Sequence, residues 1–103
     1  MARVESSGIL DILKVYVPFG TVTTYGHLSN WAFGRSNSAQ AIVAMLNAAV
    51  RADNSNSEFT NRVVKKDGTV VDVNGQLHQL IREGIRIADG KVDMDNARVI
   101  KFD

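Results

Sequence analysis

Hydrophobic residues in the first half of the chain recur at helical spacing. One stripe lies at positions i, i+3, i+4 and i+7 of a single helix and consists of Ile9, Ile12, Leu13 and Tyr16. The pattern predicts a helix that begins between Val4 and Gly8. The helix is expected to end before Pro18, because proline has no backbone N–H donor and clashes with the preceding turn.

Two further helices are predicted, joined by a short turn around Gly34. The apolar stripe of the first is Leu28, Trp31 and Ala32, and that of the second is Ala39, Ile42, Val43 and Leu46. Thr23 or Thr24 can cap the first helix through a side-chain oxygen, and a residue of segment 36–38 can cap the second. Two helices joined by a short glycine-containing turn have the outline of a helix-turn-helix.

The second half of the chain changes to the alternation typical of strands. The β-branched runs 63–64 and 69–71 flank an Asp67-Gly68 turn, which predicts a β-hairpin. A second hairpin is predicted around residues 89–90, an Asp-Gly pair, with segments 85–87 and 92–94 as its strands.

A short helix is predicted between the two hairpins. Asn74 can cap it and Gly84 can close it. Its inward residues are expected to be Leu77, Leu80 and Ile81. The whole order predicts one α/β domain over residues 1–103, winged-helix-like, with a helix-turn-helix followed by a β-hairpin wing. Lys65 and Lys66 would lie at the tip of that wing.

The composition fits one domain of modest charge. The chain has 103 residues, of which 45% are hydrophobic, and this is enough for a single core. The polar segment 51–58 is short and is interpreted as a loop within the domain. The net charge is only +1. This excludes nucleic-acid binding driven by overall charge alone, so any DNA contact must come from local placement.

Several classes of chemistry are excluded or disfavoured. The chain has no cysteine, which removes disulfides, thiolate metal sites and cysteine nucleophiles. His27 and His78 have no partners at metal-ligand spacing, so neither a metal nor another cofactor is expected. No apolar run approaches the roughly 18 residues of a membrane span, and no signal peptide is visible. We therefore expect a cytoplasmic protein with no membrane partner.

Several segments resemble the alkylguanine-DNA alkyltransferase family. Residues 17–28, Val-Pro-Phe-Gly-Thr-Val-Thr-Thr-Tyr-Gly-His-Leu, are similar to the I-P-x-G-x-V-x-T-Y-G-x-L signature of its DNA-binding domain. Residues 62–69 resemble the R-V-V/I-x-x-x-G-x segment after the active-site motif, and residues 83–85 match its E-G-V. Residues 87–94 are similar to the V-x-D-G-R-V-D-L ending of the non-catalytic, alkyltransferase-like branch.

The stretch that matches the family's active-site motif lacks its reactive residues. The motif is Pro-Cys-His-Arg-Val, whereas residues 59–63 read Phe-Thr-Asn-Arg-Val. Thr60 stands at the position of the nucleophile and Asn61 at that of the general base. Alkyl transfer needs a thiolate activated by an adjacent base, so no enzymatic activity is expected. Glu83 matches the glutamate of the family's Cys–His–Glu network, and its expected role here is capping or ion pairing.

The resemblance also implies a set of DNA-contacting residues. Tyr25 would rotate a nucleotide's phosphate and, with Thr60 and Asn61, line a pocket for an extruded guanine. The arginine "finger" that fills the resulting gap falls at Ala39, with Gln40 as its counterpart after a one-residue shift. The other predicted DNA-binding residues are Thr24, Arg35, Ser36, Ser38 and Arg62. Those of segment 35–38 lie at a helix N-terminus, which favours a phosphate.

Each of these residues has a plainer structural alternative. Tyr25 could simply pack at a helix start, the serines could cap the helix, and Arg62 could brace its loop instead of contacting DNA. Gln40 and Asn47 fit either base-edge contacts or a solvated helix face. Lys65 and Lys66 fit either phosphate contacts or a solvated turn.

Two functions of different classes are consistent with these residues. The first is a non-enzymatic, alkyltransferase-like protein that binds double-stranded DNA in the minor groove, senses alkylated guanine and signals to nucleotide excision repair proteins. The second is a winged-helix protein-interaction module that has lost DNA or lesion binding. The signature at 17–28 favours the first, and the near-neutral charge with the altered motif favours the second. Salt-dependent DNA binding separates them.

Overall fold

Five helices and four short strands lie in the parts of the chain that the computed structural model describes, residues 6–35, 37–71 and 74–102. The helices are α1 (Ser6–Tyr16), α2 (Tyr25–Phe33), α3 (Ala39–Ala52), α4 (Ser57–Thr60) and α5 (Gln76–Arg82). The strands are β1 (Thr23–Thr24), β2 (Val63–Val64), β3 (Ile87–Ala88) and β4 (Lys91–Val92). The predicted mixed α/β fold class is confirmed.

Helix α1 forms where the apolar stripe predicts it. Ile9 and Leu13 are fully buried, whereas Tyr16 is 58% exposed and meets the ring of Phe102 edge-on. The helix ends at Tyr16, just before Pro18. The inward face therefore lacks Tyr16 and includes Leu10, which is also buried.

The ends of α2 follow the predicted capping chemistry. The hydroxyl of Thr24 accepts a hydrogen bond from the backbone N–H of His27 at 3.1 Å, which is an N-cap. Gly34 ends the helix in a left-handed conformation with φ 73°, which glycine adopts without steric cost.

The turn between α2 and α3 is held by a residue that the sequence pattern did not single out. The buried Ser29 hydroxyl donates to the carbonyl of Arg35 at 2.5 Å and accepts from the N–H of Ser38 at 3.0 Å. Ser38 occupies the N-cap position of α3, but its hydroxyl accepts from Arg35 Nε instead of capping the helix. The predicted side-chain cap is therefore wrong for Ser38, and Ser36 lies outside the described residues.

The first predicted hairpin is wrong in its strand pairing. Strand β2 pairs in parallel with β1, with Thr23 opposite Val63. The turn itself forms, since Gly68 N–H donates to the carbonyl of Lys65 at 2.8 Å. After the turn, Thr69 pairs with Lys91 rather than returning along β2. One edge of β2 pairs with β1, and the carbonyl of Val63 accepts a hydrogen bond from Gln76 Nε2 at 2.8 Å. The segment after the turn joins the second hairpin, since the N–H of Val70 donates to the carbonyl of Gly90 at 3.0 Å.

The second predicted hairpin is confirmed. Strands β3 and β4 pair antiparallel around Asp89 and Gly90. Both turn residues have positive φ, 54° and 74°, which matches the right-handed twist of the flanking strands.

Two hydrophobic clusters meet at β2. Val63 belongs to one and Val64 to the other, because successive side chains of a strand point to opposite faces. The first cluster joins α1, α2 and α3 and contains Ile9, Ile12, Leu13, Val17, Leu28, Ala32, Ile42, Leu46 and Val63. The second lies under the hairpins and contains Val22, Val64, Leu80, Ile85 and Val92. Trp31 packs half-buried against the first, as its predicted core role requires.

Three smaller expectations are corrected around the short helices. Segment 51–58 is mostly helical, since α3 runs to Ala52 and a 3-10 turn at Asn54–Asn56 leads into α4. The N-cap position of α5 is Gly75, which has no side chain with which to cap the helix, rather than Asn74. Ile81, expected inside, is 57% exposed, so α5 buries a narrower face than its apolar content suggests.

Candidate functional site

A groove of about 1110 Å³ separates the N-terminal halves of α2 and α3 from the turn that follows β2. The helix side contributes Thr24, Tyr25, Gly26, His27, Asn30, Asn37, Ala39, Gln40, Val43 and Asn47. The opposite side contributes Lys65, Lys66, Val71 and Met94. The groove thus places both predicted positions of the finger residue, Ala39 and Gln40, opposite the predicted wing lysines, Lys65 and Lys66.

Helix α3 presents an exposed face to the groove. Gln40, Val43 and Asn47 are spaced i, i+3 and i+7, so they lie on one side of the helix, and all three are exposed. Gln and Asn amides carry both donors and acceptors, so this face can hydrogen-bond base edges or sugar oxygens. The buried residues of the same helix, Ile42 and Leu46, anchor it to the first cluster.

The lysine wall of the groove is held in place by an aspartate. Asp67 Oδ1 accepts from the N–H of Thr69 at 2.9 Å and from its hydroxyl at 2.6 Å. These bonds, with the nearby Lys91 charge, lower the pKa of Asp67 to about 2. Because Lys91 pairs with Asp67 at 3.5 Å, the exposed Lys65 and Lys66 leave this wall positively charged.

Tyr25, Thr60 and Asn61, the three predicted lesion-pocket residues, line one small pocket. It adjoins the groove and shares Tyr25, Val43 and Asn47 with it. Its volume is about 30 Å³, which is enough space for a water molecule. A whole base does not fit in this arrangement. Burial raises the pKa of Tyr25, so its hydroxyl is neutral at physiological pH.

Thr60 and Asn61 are held by short-range and long-range hydrogen bonds respectively. The Thr60 hydroxyl donates to the carbonyl of Ser57 at 3.5 Å, within α4. Asn61 Nδ2 donates to Gln79 Oε1 at 2.9 Å and to the carbonyl of Asn74 at 3.0 Å. No ionised base neighbours the Thr60 hydroxyl in these bonds, so its chemistry remains that of an ordinary alcohol.

Arg62 is buried and braces the fold. It is 5% exposed, and its Nη2 lies 2.8 Å from Glu83 Oε2 in a buried ion pair. Its Nη1 also donates to the carbonyl of Val17 at 3.4 Å. Of the two roles predicted for Arg62, contact with DNA and bracing of its loop, the burial and the ion pair support bracing. Ion pairing, one of the two roles expected of Glu83, is what the structure shows.

Of the remaining residues predicted to contact DNA, some line the groove and others hold the helices that form it. Thr24 is 4% exposed and its hydroxyl caps α2, so it positions Tyr25 and does not offer a free side chain to DNA. Ala39 and Gln40 line the groove. Arg35 is exposed beside the groove, with its Nε bonded to Ser38, and these two residues remain predictions as phosphate contacts.

The sequence patterns missed two features of the site. Val43, counted as an apolar core position, is exposed in the groove. Gln76 is buried and lines the small pocket, and the buried Gln79 accepts a hydrogen bond from Asn61 beside it. The sequence carried a signal for these glutamines. Gln76 and Gln79 are spaced i and i+3, and Leu80 is one turn after Gln76, so all three lie on the same side of the helix.

The described residues contain no group of three or more histidine, cysteine, aspartate or glutamate side chains that could hold a metal ion. Within those same residues, no helix has the length and apolar character needed to cross a membrane.

One solved structure shares this fold across most of the chain. It is the crystal structure of S. pombe Atl1, an alkyltransferase-like protein, in complex with damaged DNA containing O6-carboxymethylguanine. The similarity covers 90% of this chain and 92% of Atl1, with a TM-score of 0.63 and 18% sequence identity. No protein-family model and no curated protein matches the sequence. The resemblance noted in the sequence is thus confirmed at the level of the fold.

Proposed function

We propose that this protein is a non-enzymatic, double-stranded-DNA-binding protein of the alkyltransferase-like type. The observation that carries the proposal is the groove, which sets the Gln40–Asn47 face of α3 against Lys65 and Lys66. Such a surface offers amide groups for base and sugar edges and cations for phosphates, which are the two kinds of contact that duplex binding requires. The fold it shares with Atl1, a protein crystallised on damaged DNA, supports the same conclusion.

The proposed geometry places α3 in the minor groove. Small and medium side chains at Ala39 and Val43 allow the helix to approach closely, while Lys65 and Lys66 reach the phosphates along one border. Binding then depends on local charge, which is compatible with a net charge of only +1. Each phosphate contact releases counterions, so the affinity falls as salt rises.

The non-enzymatic part of the proposal rests on the pocket residues. The chain has no cysteine, and Thr60 is bonded to the carbonyl of Ser57 with Asn61 beside it. An amide side chain does not accept a proton at neutral pH, so the hydroxyl has no activating base in Asn61.

Sensing of alkylated guanine is proposed as a weak preference. Ala39 supplies no long side chain to fill the gap of an extruded base, and the pocket volume is only about 30 Å³. Extrusion costs a few kcal/mol, least for a damaged base. A bound lesion would then be passed to nucleotide excision repair proteins.

A protein-interaction module is the second candidate, because one apolar patch is exposed. Val15, Tyr16 and Phe19, at the end of α1 and just after it, are between 58% and 68% exposed. A patch of this kind fits a protein partner. Under this alternative, DNA binding is absent or insensitive to salt.

Nuclear magnetic resonance mapping tests where DNA binds. Titration of the ¹⁵N-labelled protein with a short duplex is expected to shift the signals of Gln40, Asn47 and Lys65, while those of Tyr16 and Phe19 stay in place. Shifts confined to Tyr16 and Phe19, or no shifts at all, would contradict the proposal.

A further inference from the structure

We infer that Asn61 makes the small pocket selective for a group that donates a hydrogen bond. The inference rests on the proposed function, since it concerns which base edge the pocket accepts. It follows from a chain of buried hydrogen bonds whose donor and acceptor roles are fixed at one end by a charge.

The fixed end is the carboxylate of Glu83. It lies in a buried ion pair with Arg62, whose Nε and Nη2 donate to it at 2.8–3.1 Å. The N–H of Gly20 donates to its Oε1 at 3.0 Å. Burial alone would raise the pKa of Glu83, but these bonds together lower it, so the group is ionised and accepts only.

Gln79 is oriented by that carboxylate. Its Nε2 donates to Glu83 Oε2 at 3.0 Å and to the carbonyl of Glu58 at 2.7 Å. Both partners are acceptors, so reversing the amide would place oxygen against oxygen at two contacts. The Oε1 of Gln79 must therefore face Asn61 as an acceptor.

Asn61 is oriented in turn. Its Nδ2 donates to Gln79 Oε1 and to the carbonyl of Asn74, which uses both amide protons. The Oδ1 is left pointing away from these two partners. Arg62, Glu83, Gln79 and Asn61 thus form a relay in which the charge of the first pair decides the direction of the last amide.

The Oδ1 atom of Asn61 opens onto the pocket. Asn61 is 4% exposed and lines the pocket with Tyr25 and Thr60. Among the described residues, none donates a hydrogen bond to Oδ1. Every fully buried side-chain oxygen or nitrogen of those residues has a partner, so Oδ1 is not fully buried. The Oδ1 is therefore accessible, and the pocket is where it can be reached.

The pocket accordingly presents a fixed acceptor to its occupant. The neighbouring Thr60 hydroxyl donates its proton to the carbonyl of Ser57, so it does not present a hydrogen-bond donor to the pocket. With room for only about 30 Å³, the pocket takes the edge of a base rather than its ring. The favoured edge carries a ring N–H or an exocyclic amine, and an edge with acceptors alone leaves Asn61 unsatisfied.

Duplexes that differ only in the donors of one unpaired base test this inference. Three probes carry purine, hypoxanthine or 2-aminopurine opposite an abasic site. Purine has no donor on its Watson–Crick edge, hypoxanthine has a ring N–H and 2-aminopurine has an amine. The parent protein is expected to bind at least one donor-bearing duplex about 3- to 10-fold more tightly than the purine duplex. The Asn61→Leu variant should lose this difference. The control Asn54→Leu, at an exposed position outside both the pocket and the groove, should keep it.

A second measurement requires neither DNA nor a variant. The side-chain amide protons of Asn61 should exchange with solvent much more slowly than those of the exposed Asn47. Equally fast exchange would overturn the relay.

The outcomes distinguish the inference from the function on which it rests. Equal binding of the parent to all three duplexes, or a preference that survives Asn61→Leu, overturns the role of Asn61 and leaves DNA binding intact. Absence of binding to every duplex at low salt overturns the proposed function, and this inference with it.

Discussion

Arg62 and Glu83 lie 21 residues apart in the chain and form a buried ion pair, with 2.8 Å between Nη2 and Oε2. The pair joins the segment before β2 to the end of α5. Through the Gly20 N–H and the Val17 carbonyl it also fixes the turn that leads to β1. The position of Tyr25, which follows β1, therefore depends on two buried residues.

Removing one partner of this pair should be strongly destabilising. In Arg62→Met, the Glu83 carboxylate is left buried without its cation, and the expected loss is about 3–5 kcal/mol of unfolding free energy. Urea denaturation measures it. The control Arg86→Met alters an exposed arginine and should change stability by less than about 0.5 kcal/mol. A similar small effect for both variants would show that the ion pair does not stabilise the fold.

Acid should weaken the fold through Glu83. Its pKa is lowered in the folded state from an ordinary value of 4.5, so the stability it contributes is present above that pH. The contribution is lost as pH falls through the folded pKa, because the unfolded chain then binds more protons. Urea midpoints measured between about pH 3 and pH 7 should fall less steeply with acidification for Glu83→Gln than for the parent. Parallel curves would exclude Glu83 as a source of the acid sensitivity.

The two groove lysines should set much of the salt dependence of DNA binding. Each phosphate contact contributes about 0.9 to the slope of log affinity against log salt. The Lys65→Gln, Lys66→Gln double variant is expected to lower the magnitude of that slope by nearly 2. Lys101→Gln, an exposed lysine outside the groove, is the matched control and should leave it unchanged. An unchanged slope in the double variant would show that Lys65 and Lys66 do not contact the phosphates of the duplex.

An arginine at position 39 should strengthen DNA binding. Ala39 lines the groove at the start of α3, so Ala39→Arg places a cation where duplex phosphates or an extrusion gap would lie. We expect a several-fold gain in affinity and a slope that is steeper by about 0.9, measured by fluorescence polarisation. The control Ala41→Arg adds the same charge on an exposed part of α3 that does not line the groove. Equal gains in affinity from both variants would show that the effect comes from the added charge and not from position 39.

The helical half of the fold was predictable because its signals are local. The i, i+3, i+4 stripe around Ile9 and Leu13, the cap at Thr24 and the glycine at position 34 each act within a few residues. The Asp89-Gly90 hairpin was predictable for the same reason. The parallel pairing of β1 with β2 was not, because strands of two residues carry no detectable period and their partners lie far apart in sequence.

The candidate site was likewise predictable in part, where a local motif marked its residues, and not where distant residues meet. The resemblance to a known motif brought Tyr25, Thr60 and Asn61 together, and the structure places them around one pocket. The burial of Arg62 could not be read from the sequence, since a charged residue on a polar turn looks the same whether or not a distant glutamate meets it. The role of Ser29 was hidden likewise, because its two hydrogen bonds go to backbone groups of the next turn.

Fluorescence polarisation with two short duplexes, identical except for one 6-O-methylguanine, measures DNA binding most directly when repeated at low and moderate salt. We predict binding of both duplexes, a fall in log affinity with log salt of slope about −2 or steeper, and a modest preference for the modified duplex. Failure to bind either duplex at low salt, or an affinity that does not change with salt, would contradict the proposal that this protein binds DNA through the α3 groove.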